Sequence, residues 1–238
     1  MLVAIASKGR AGNTMTDKVL PSATWFVPDS EQKQYYERGL KVIGVPNKVR
    51  GITATRNWIL KTVDQRRIVM IDDDVKVCGY DEIYDRKMKR ISVRDERFWL
   101  GEFDKLFDVT EQLGYKIWGL KTEAAPRSLY PAKPLLFQTY VTASCMGILN
   151  DGEYLFDESF QVKEDYEICL RHVRDKGGIL GARFFHWENH HWDTPGGVTD
   201  YRTMDMEKDC ILRLIKMYPG MVKSAKRVAN QFTIRLTF

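Results

Sequence analysis

Residues Gly51 to Val75 read GITATRNWILKTVDQRRIVMIDDDV. Within them, Thr53 to Val63 follows a glycine and sets Ile59, Leu60 and Val63 at helical spacing, so it reads as an amphipathic helix with a face to lay on a sheet. Arg67 to Ile71 then reads as a buried strand that ends abruptly on Asp72, Asp73 and Asp74. Upstream, Leu2 to Ala6, Thr24 to Val27 and Lys41 to Val45 read as short strands. Asp29 to Arg38 reads as a helix opened by an Asp/Ser pair able to cap it. Strands alternating with helices predict a parallel sheet covered by helices.

The same grammar continues less regularly downstream. A charged insertion runs to about Arg94, followed by a helix from Asp95 to Leu113 whose face carries Phe98, Leu100, Phe103, Leu106, Phe107 and Val109, and which Gly114 ends. Lys116 to Leu120, Leu135 to Leu149 and Ile179 to Trp187 are predicted strands. Lys163 to Asp175 and Glu207 to Met217 are predicted helices. The expectation is an α/β fold in one domain over 1–210, with a nucleotide-binding half at about 1–75, an acceptor half at about 115–200, and a basic extension, 211–238, packed on the same domain.

The 238 residues are 44% hydrophobic and 12% aromatic, the composition of a packed globular chain rather than a disordered or fibrous one. The charges of MLVAIASKGR follow its apolar run, the reverse of a signal peptide, and no apolar run is long enough to span a bilayer. A cytoplasmic protein without membrane contact is expected. Cys78, Cys145, Cys169 and Cys210 form no C-x-x-C pair and read as reduced core residues. SKGRAGN is not a P-loop, and neither G-x-G-x-x-G after a strand nor G-x-S-x-G occurs, which weakens NTPase, dehydrogenase and hydrolase readings. The net charge is +5 and unevenly spread: Ile211 to Phe238 has six basic residues and no acid, and Arg86 to Arg97 has six against two acids. Each is either a phosphate-facing surface or a solvated face.

Three constellations carry candidate chemistry. Adjacent Asp72, Asp73 and Asp74 repel one another, so they need a cation or several donors. Mg²⁺ or Mn²⁺ at the carboxyl end of a strand is one answer, and an acidic turn capping the next segment is the other. KEDYEICLR places Glu164 and Asp165 at a helix start, where carboxylates either complement the dipole or serve as a base. FFHWENHHWDTPGG clusters His186, His190 and His191 ahead of Gly196 and Gly197, as packed residues or as imidazole ligands acceptable to Mn²⁺.

The Gly51–Val75 segment resembles the Arg-Asn helix, apolar strand and Asp-triplet module of nucleotide-sugar glycosyltransferases with the GT-A fold. That resemblance implies a Rossmann-like single domain with a mixed, mostly parallel central sheet flanked by helices. It also implies a donor site formed by Ser7, Lys8, Gly9 and Arg10 after the first strand, by Arg56, Asp72 and Asp73, and by Gly196 and Gly197 over the diphosphate. The metal would sit on Asp72 and Asp74 with His190, or else His186. Asp165, paired with Glu164, corresponds to the base of an inverting transfer. S-K-G-R, I-T-A-T-R-N-W, K-E-D-Y-E and the late H-x-x-x-H-H…P-G-G together resemble the phage glycosyltransferases associated with TET/JBP-type hydroxylases. The implied donor is a UDP-sugar and the implied acceptor a hydroxymethylated pyrimidine in DNA, with Trp192 or Tyr140 available to stack on the base. A glycan acceptor and a non-catalytic nucleotide- or DNA-binding module are the alternatives.

Overall fold

A computed structural model describes residues 1–85, 87–121, 134–189, 197–228 and 231–237. In chain order the elements are β1 (Leu2–Ala6), β2 (Thr24–Pro28), α1 (Gln32–Tyr36), β3 (Lys41–Val45), α2 (Ile52–Thr62), β4 (Arg67–Ile71), β5 (Val75–Tyr84), β6 (Lys87–Ser92) and α3 (Glu96–Gln112). They continue with β7 (Ile117–Lys121), β8 (Leu135–Leu136), β9 (Cys145–Leu149), α4 (Glu164–Lys176), β10 (Leu180–Asn189), α5 (Met204–Met217), β11 (Val222–Val228) and β12 (Gln231–Leu236). The main sheet runs β3-β2-β1-β4-β9-β7-β10-β5-β6, with β8 beside β10. β3, β2, β1 and β4 pair in parallel, as does β10 with β7. β9 enters antiparallel between β4 and β7, and β5 and β6 extend the sheet antiparallel beyond β10.

Strand alternation divides the core between the two faces of this sheet. On one face Trp25 and Val69 join Trp118 and Trp187 beneath Trp99 and Phe103 of α3. On the other, Phe26, Ile68 and Met70 meet Ile59 and Leu60 of α2 and Ile168, Cys169 and Val173 of α4. The four cysteines are buried and unpaired by disulfides. Asp95 caps α3 by accepting the N–H of Arg97 at 2.9 Å. Gly177, at φ +81°, closes α4 and donates its N–H to Val173 at 2.8 Å.

Three expectations are corrected. The charged insertion is the β5–β6 hairpin, in which Arg90 pairs with Asp81 at 3.3 Å and Lys89 with Glu82 at 4.0 Å, so part of that basic run is neutralised across strands. Leu135 to Leu149 is not one strand: the chain leaves the sheet after β8 and rejoins it at β9, lining a cavity on the way with Tyr140, Thr142, Ala143 and Ser144. The helix expected over Asp29 to Arg38 is a 3₁₀ turn at Asp29–Glu31 followed by α1. The tail, for which no element was expected, is a β11–β12 hairpin, and Cys210 and Leu214 of α5 pack with Val222 at its start.

Candidate active site

A cavity of about 1280 Å³ opens at the carboxyl ends of β1 and β4. The apolar side chains of β4 are buried, so its carboxylates emerge where pairing ends, and the loop after β1 meets them there. Asp73, 4% exposed, is engaged at both oxygens: Arg10 Nη1 donates to Oδ1 at 2.8 Å, and Ser7 Oγ donates to Oδ2 in a short contact. Tyr35 of α1 closes this loop, its hydroxyl 2.8 Å from Ser7 Oγ and 3.1 Å from the Arg10 N–H that it accepts. Asp72 is met from two sides, by Arg56 Nη2 at 3.3 Å on Oδ1 and by Asn189 Nδ2 at 3.2 Å on Oδ2. Thr16 fastens the turn from below, donating to the Asp72 carbonyl at 2.7 Å and accepting the Val75 N–H at 3.0 Å.

Asp74 differs from its neighbours. Its Oδ1 is buried and accepts no hydrogen bond, and Arg10 reaches only the other oxygen, at 3.9 Å. Burial and then the adjacent Asp72 and Asp73 charges push its carboxyl up to about 7, against the opposing pull of Arg10. An oxygen left in this condition among three carboxylates suits a divalent cation. Among the described residues, however, no group of three His, Cys, Asp or Glu side chains is already gathered to hold one.

The opposite wall is the start of α4. Glu164 is buried and paired in a short contact with Arg56 Nη1, so one guanidinium bridges Glu164 and Asp72. Burial raises the Glu164 carboxyl well above the ordinary range while Arg56 lowers it, and Asp165 raises it further. Asp165 is half-buried on the cavity wall, with Oδ1 accepting the Tyr166 N–H at 2.9 Å. Tyr140 and Tyr166 stack beside it, ring centroids 4.5 Å apart and 22° from coplanar. Seven carboxylates and six cationic side chains line this cavity, and five of the carboxylates, Asp72, Asp73, Asp74, Glu164 and Asp165, gather on the side of the Arg10 and Arg56 guanidiniums, a local excess of negative charge that suits a bound cation.

Most of the expected residues therefore share one cavity: Ser7, Lys8, Arg10, Arg56, Asp72, Asp73, Asp74, Glu164, Asp165 and Gly197 line it. Gly197 adopts φ +65°, and a Cβ there would come within 3.6 Å of the Arg10 guanidinium. His186 is not in the lining. Its ring is buried on β10 against Gly79, with Nδ1 3.5 Å from Asp81. His190, His191, Trp192 and Gly196 lie outside the described residues. Sequence reasoning missed Tyr35, Asn189, Lys163, Tyr201 and Arg202. Only Asn189 left a signal, since it lies two residues beyond the predicted last strand, which in fact continues through it.

The sequence profile of the TET-associated glycosyltransferases matches residues 1–196. No curated protein matches the chain. Among solved structures, glucosyl-3-phosphoglycerate synthase from Mycobacterium tuberculosis, crystallised with Mn²⁺ and UDP-glucose, is similar at a TM-score of 0.55 and 11% identity, covering 99% of this chain and 86% of that one. A 1–349 fragment of S. aureus TarS in complex with UDP-GlcNAc is similar at 0.53 and 10% identity, covering 92% of this chain and 67% of the fragment.

Proposed function

The chain belongs to the TET-associated glycosyltransferase family, and from that premise we propose that it moves a sugar from a UDP-sugar to the hydroxyl of a hydroxymethylated pyrimidine in DNA, using Asp165 as the base. The observation that carries this reading is the division of labour in the first turn of α4. Glu164 is tied to Arg56, while Asp165, beside it, faces the cavity into which the β4 aspartates also look. The β1 loop and the residues from Ser30 to Arg50 that line the cavity offer the donor nucleotide a bed. Two proteins of the same fold were crystallised with UDP-sugars, which supports that choice of donor.

In a single displacement the acceptor hydroxyl attacks the anomeric carbon as its proton passes to the Asp165 carboxylate. The glycosidic bond forms, the bond from the anomeric carbon to the diphosphate oxygen breaks, and the sugar is inverted. Arg56 and Arg10 hold the carboxylates at fixed positions before substrate arrives. Asp72 and Asp74, with His190 as a third ligand, would hold Mn²⁺ or Mg²⁺, which supplies positive charge against the leaving diphosphate. The stacked Tyr140–Tyr166 pair gives an unstacked base a flat surface near Asp165, and the acid-free tail suits a phosphate backbone.

The test is transfer itself: UDP-sugars with Mn²⁺ are offered to duplexes containing hydroxymethylcytosine or hydroxymethyluracil, and the mass of the DNA is measured. A hexose-sized gain is expected only with the hydroxymethylated strand. Transfer to a glycan but to no DNA would overturn the acceptor, and nucleotide-sugar binding with neither transfer nor hydrolysis would overturn the enzyme reading.

A further inference from the structure

The residue that opens α4 is strained. Lys163 adopts φ +63°, ψ +19°, a left-handed conformation that side chains other than glycine rarely take, and the chain turns there directly into Glu164 and Asp165. Such a turn persists only where its surroundings fix it. Here the fixing group comes from α5: Glu207, with no exposed surface, accepts from Lys163 Nζ at 3.2 Å and from Arg202 Nε at 2.7 Å. Lys163 is itself 8% exposed, so the pair is shielded from water and is held more firmly than a surface ion pair. Arg202 and Glu207 both lie beyond residue 196, where the family match ends, yet Arg202 lines the cavity.

We infer that Glu207 is a positioning residue for sugar transfer: by gripping Lys163 it holds the left-handed turn from which Asp165 enters the cavity, and by gripping Arg202 it fixes the adjoining wall. The inference rests on Asp165 being the proton acceptor. α5 reinforces the same element further along, where the Tyr218 hydroxyl donates to Glu167 of α4 at 2.8 Å. The C-terminal segment thereby becomes part of the site through one buried carboxylate.

Glu207→Gln keeps the shape and removes the charge, but it leaves Lys163 buried without its partner, so it is compared with Lys163→Met/Glu207→Gln, which removes both charges together. Three quantities are measured on each full-length variant: melting temperature, UDP affinity, and hydrogen exchange of the amides from 164 to 168. Transfer to a hydroxymethylated duplex is measured alongside. Melting should fall in the single variant and recover in the double. In both variants the 164–168 amides should exchange faster and kcat should drop roughly tenfold to a hundredfold, while UDP affinity stays within about twofold. Exchange and kcat that recover together with melting in the double variant would make Glu207 a stability residue only and overturn the inference. If the parent transfers sugar to no DNA, the acceptor reading fails alone, and the exchange of 164–168 still decides the role of Glu207.

Discussion

Replacing Arg56 with Met is the most informative single change, because one guanidinium serves two carboxylates of different exposure. Asp72 has a side chain 35% exposed and can turn to water, whereas Glu164, at 9%, cannot. The cost therefore falls on Glu164, and orphaning one member of a buried pair typically costs about 3–5 kcal/mol. For a chain of this size that is on the order of a 6–20 °C drop in melting temperature. The loss must depend on pH, and its sign is fixed. Burial already raises the Glu164 carboxyl above its unfolded value, and losing Arg56 removes the opposing influence, so the folded protein holds the proton to higher pH. A group raised in this way favours the folded state below its unfolded pKa, and that contribution is lost as pH climbs through the folded value. The gap between parent and Arg56→Met should thus narrow as pH falls from about 8 to about 5. Melts by circular dichroism with a chelator present read this directly, and adding Glu164→Gln to Arg56→Met should return much of the loss at pH 8. A drop under about 1 kcal/mol, the range of a surface pair, or a gap that stays flat with pH, would refute the buried-bridge reasoning.

Asp165→Asn should leave UDP affinity intact while transfer falls by about 10²–10⁴-fold, and single-turnover assays that find no loss would move the base elsewhere. Asp74→Ala should abolish the Mn²⁺-dependent part of nucleotide binding, as titration calorimetry with and without the metal would show. Because the Asp74 carboxyl sits up at about 7, the metal-free parent should lose stability as pH rises through neutrality, and saturating Mn²⁺ should flatten that decline in thermal melts. Charge reversal at Lys223, Lys226 and Arg227 should flatten the salt dependence of duplex binding, by about 0.9 in the slope of log K against log salt for each phosphate no longer neutralised, without changing donor affinity.

The left half of the sheet was readable because β1, β2 and β4 are short continuous apolar runs buried on both faces, set off from the polar segments that connect them. β1, β2, β3 and β4 fall within a residue of the segments read from sequence. β5 and β6 were hidden because a solvated hairpin carries charge on its open face and looks like an insertion. β8 and β9 merged into one apparent strand because Phe137 to Ser144 between them is rich in aromatic and β-branched residues, although Tyr140, Thr142, Ala143 and Ser144 line the cavity instead of joining the sheet. The Asp triplet and the Glu-Asp pair announced themselves by local density. Lys163, Arg202 and Glu207 did not, since a cluster around one buried carboxylate, drawn from two distant segments, leaves no spacing to detect. Tyr35 was invisible likewise: its hydroxyl matters only because α1 happens to end beside the β1 loop.

The antiparallel insertion of β9 has a consequence for how such a protein can diverge. Because β9 runs against β4, the residues that precede it arrive at the end where β4 finishes, and the Asp72 N–H donates to the Ser144 carbonyl at 3.2 Å. A parallel strand would instead have brought the residues that follow it there and required a long crossover connection. The segment from Tyr140 to Ser144 is thus joined to the carboxylate floor by that main-chain hydrogen bond, while β4 and β9 pair below it. Substitutions in those few positions can reshape what the cavity admits while the strands that carry the aspartates stay in register, so on the proposed function the choice of acceptor can drift faster than the chemistry.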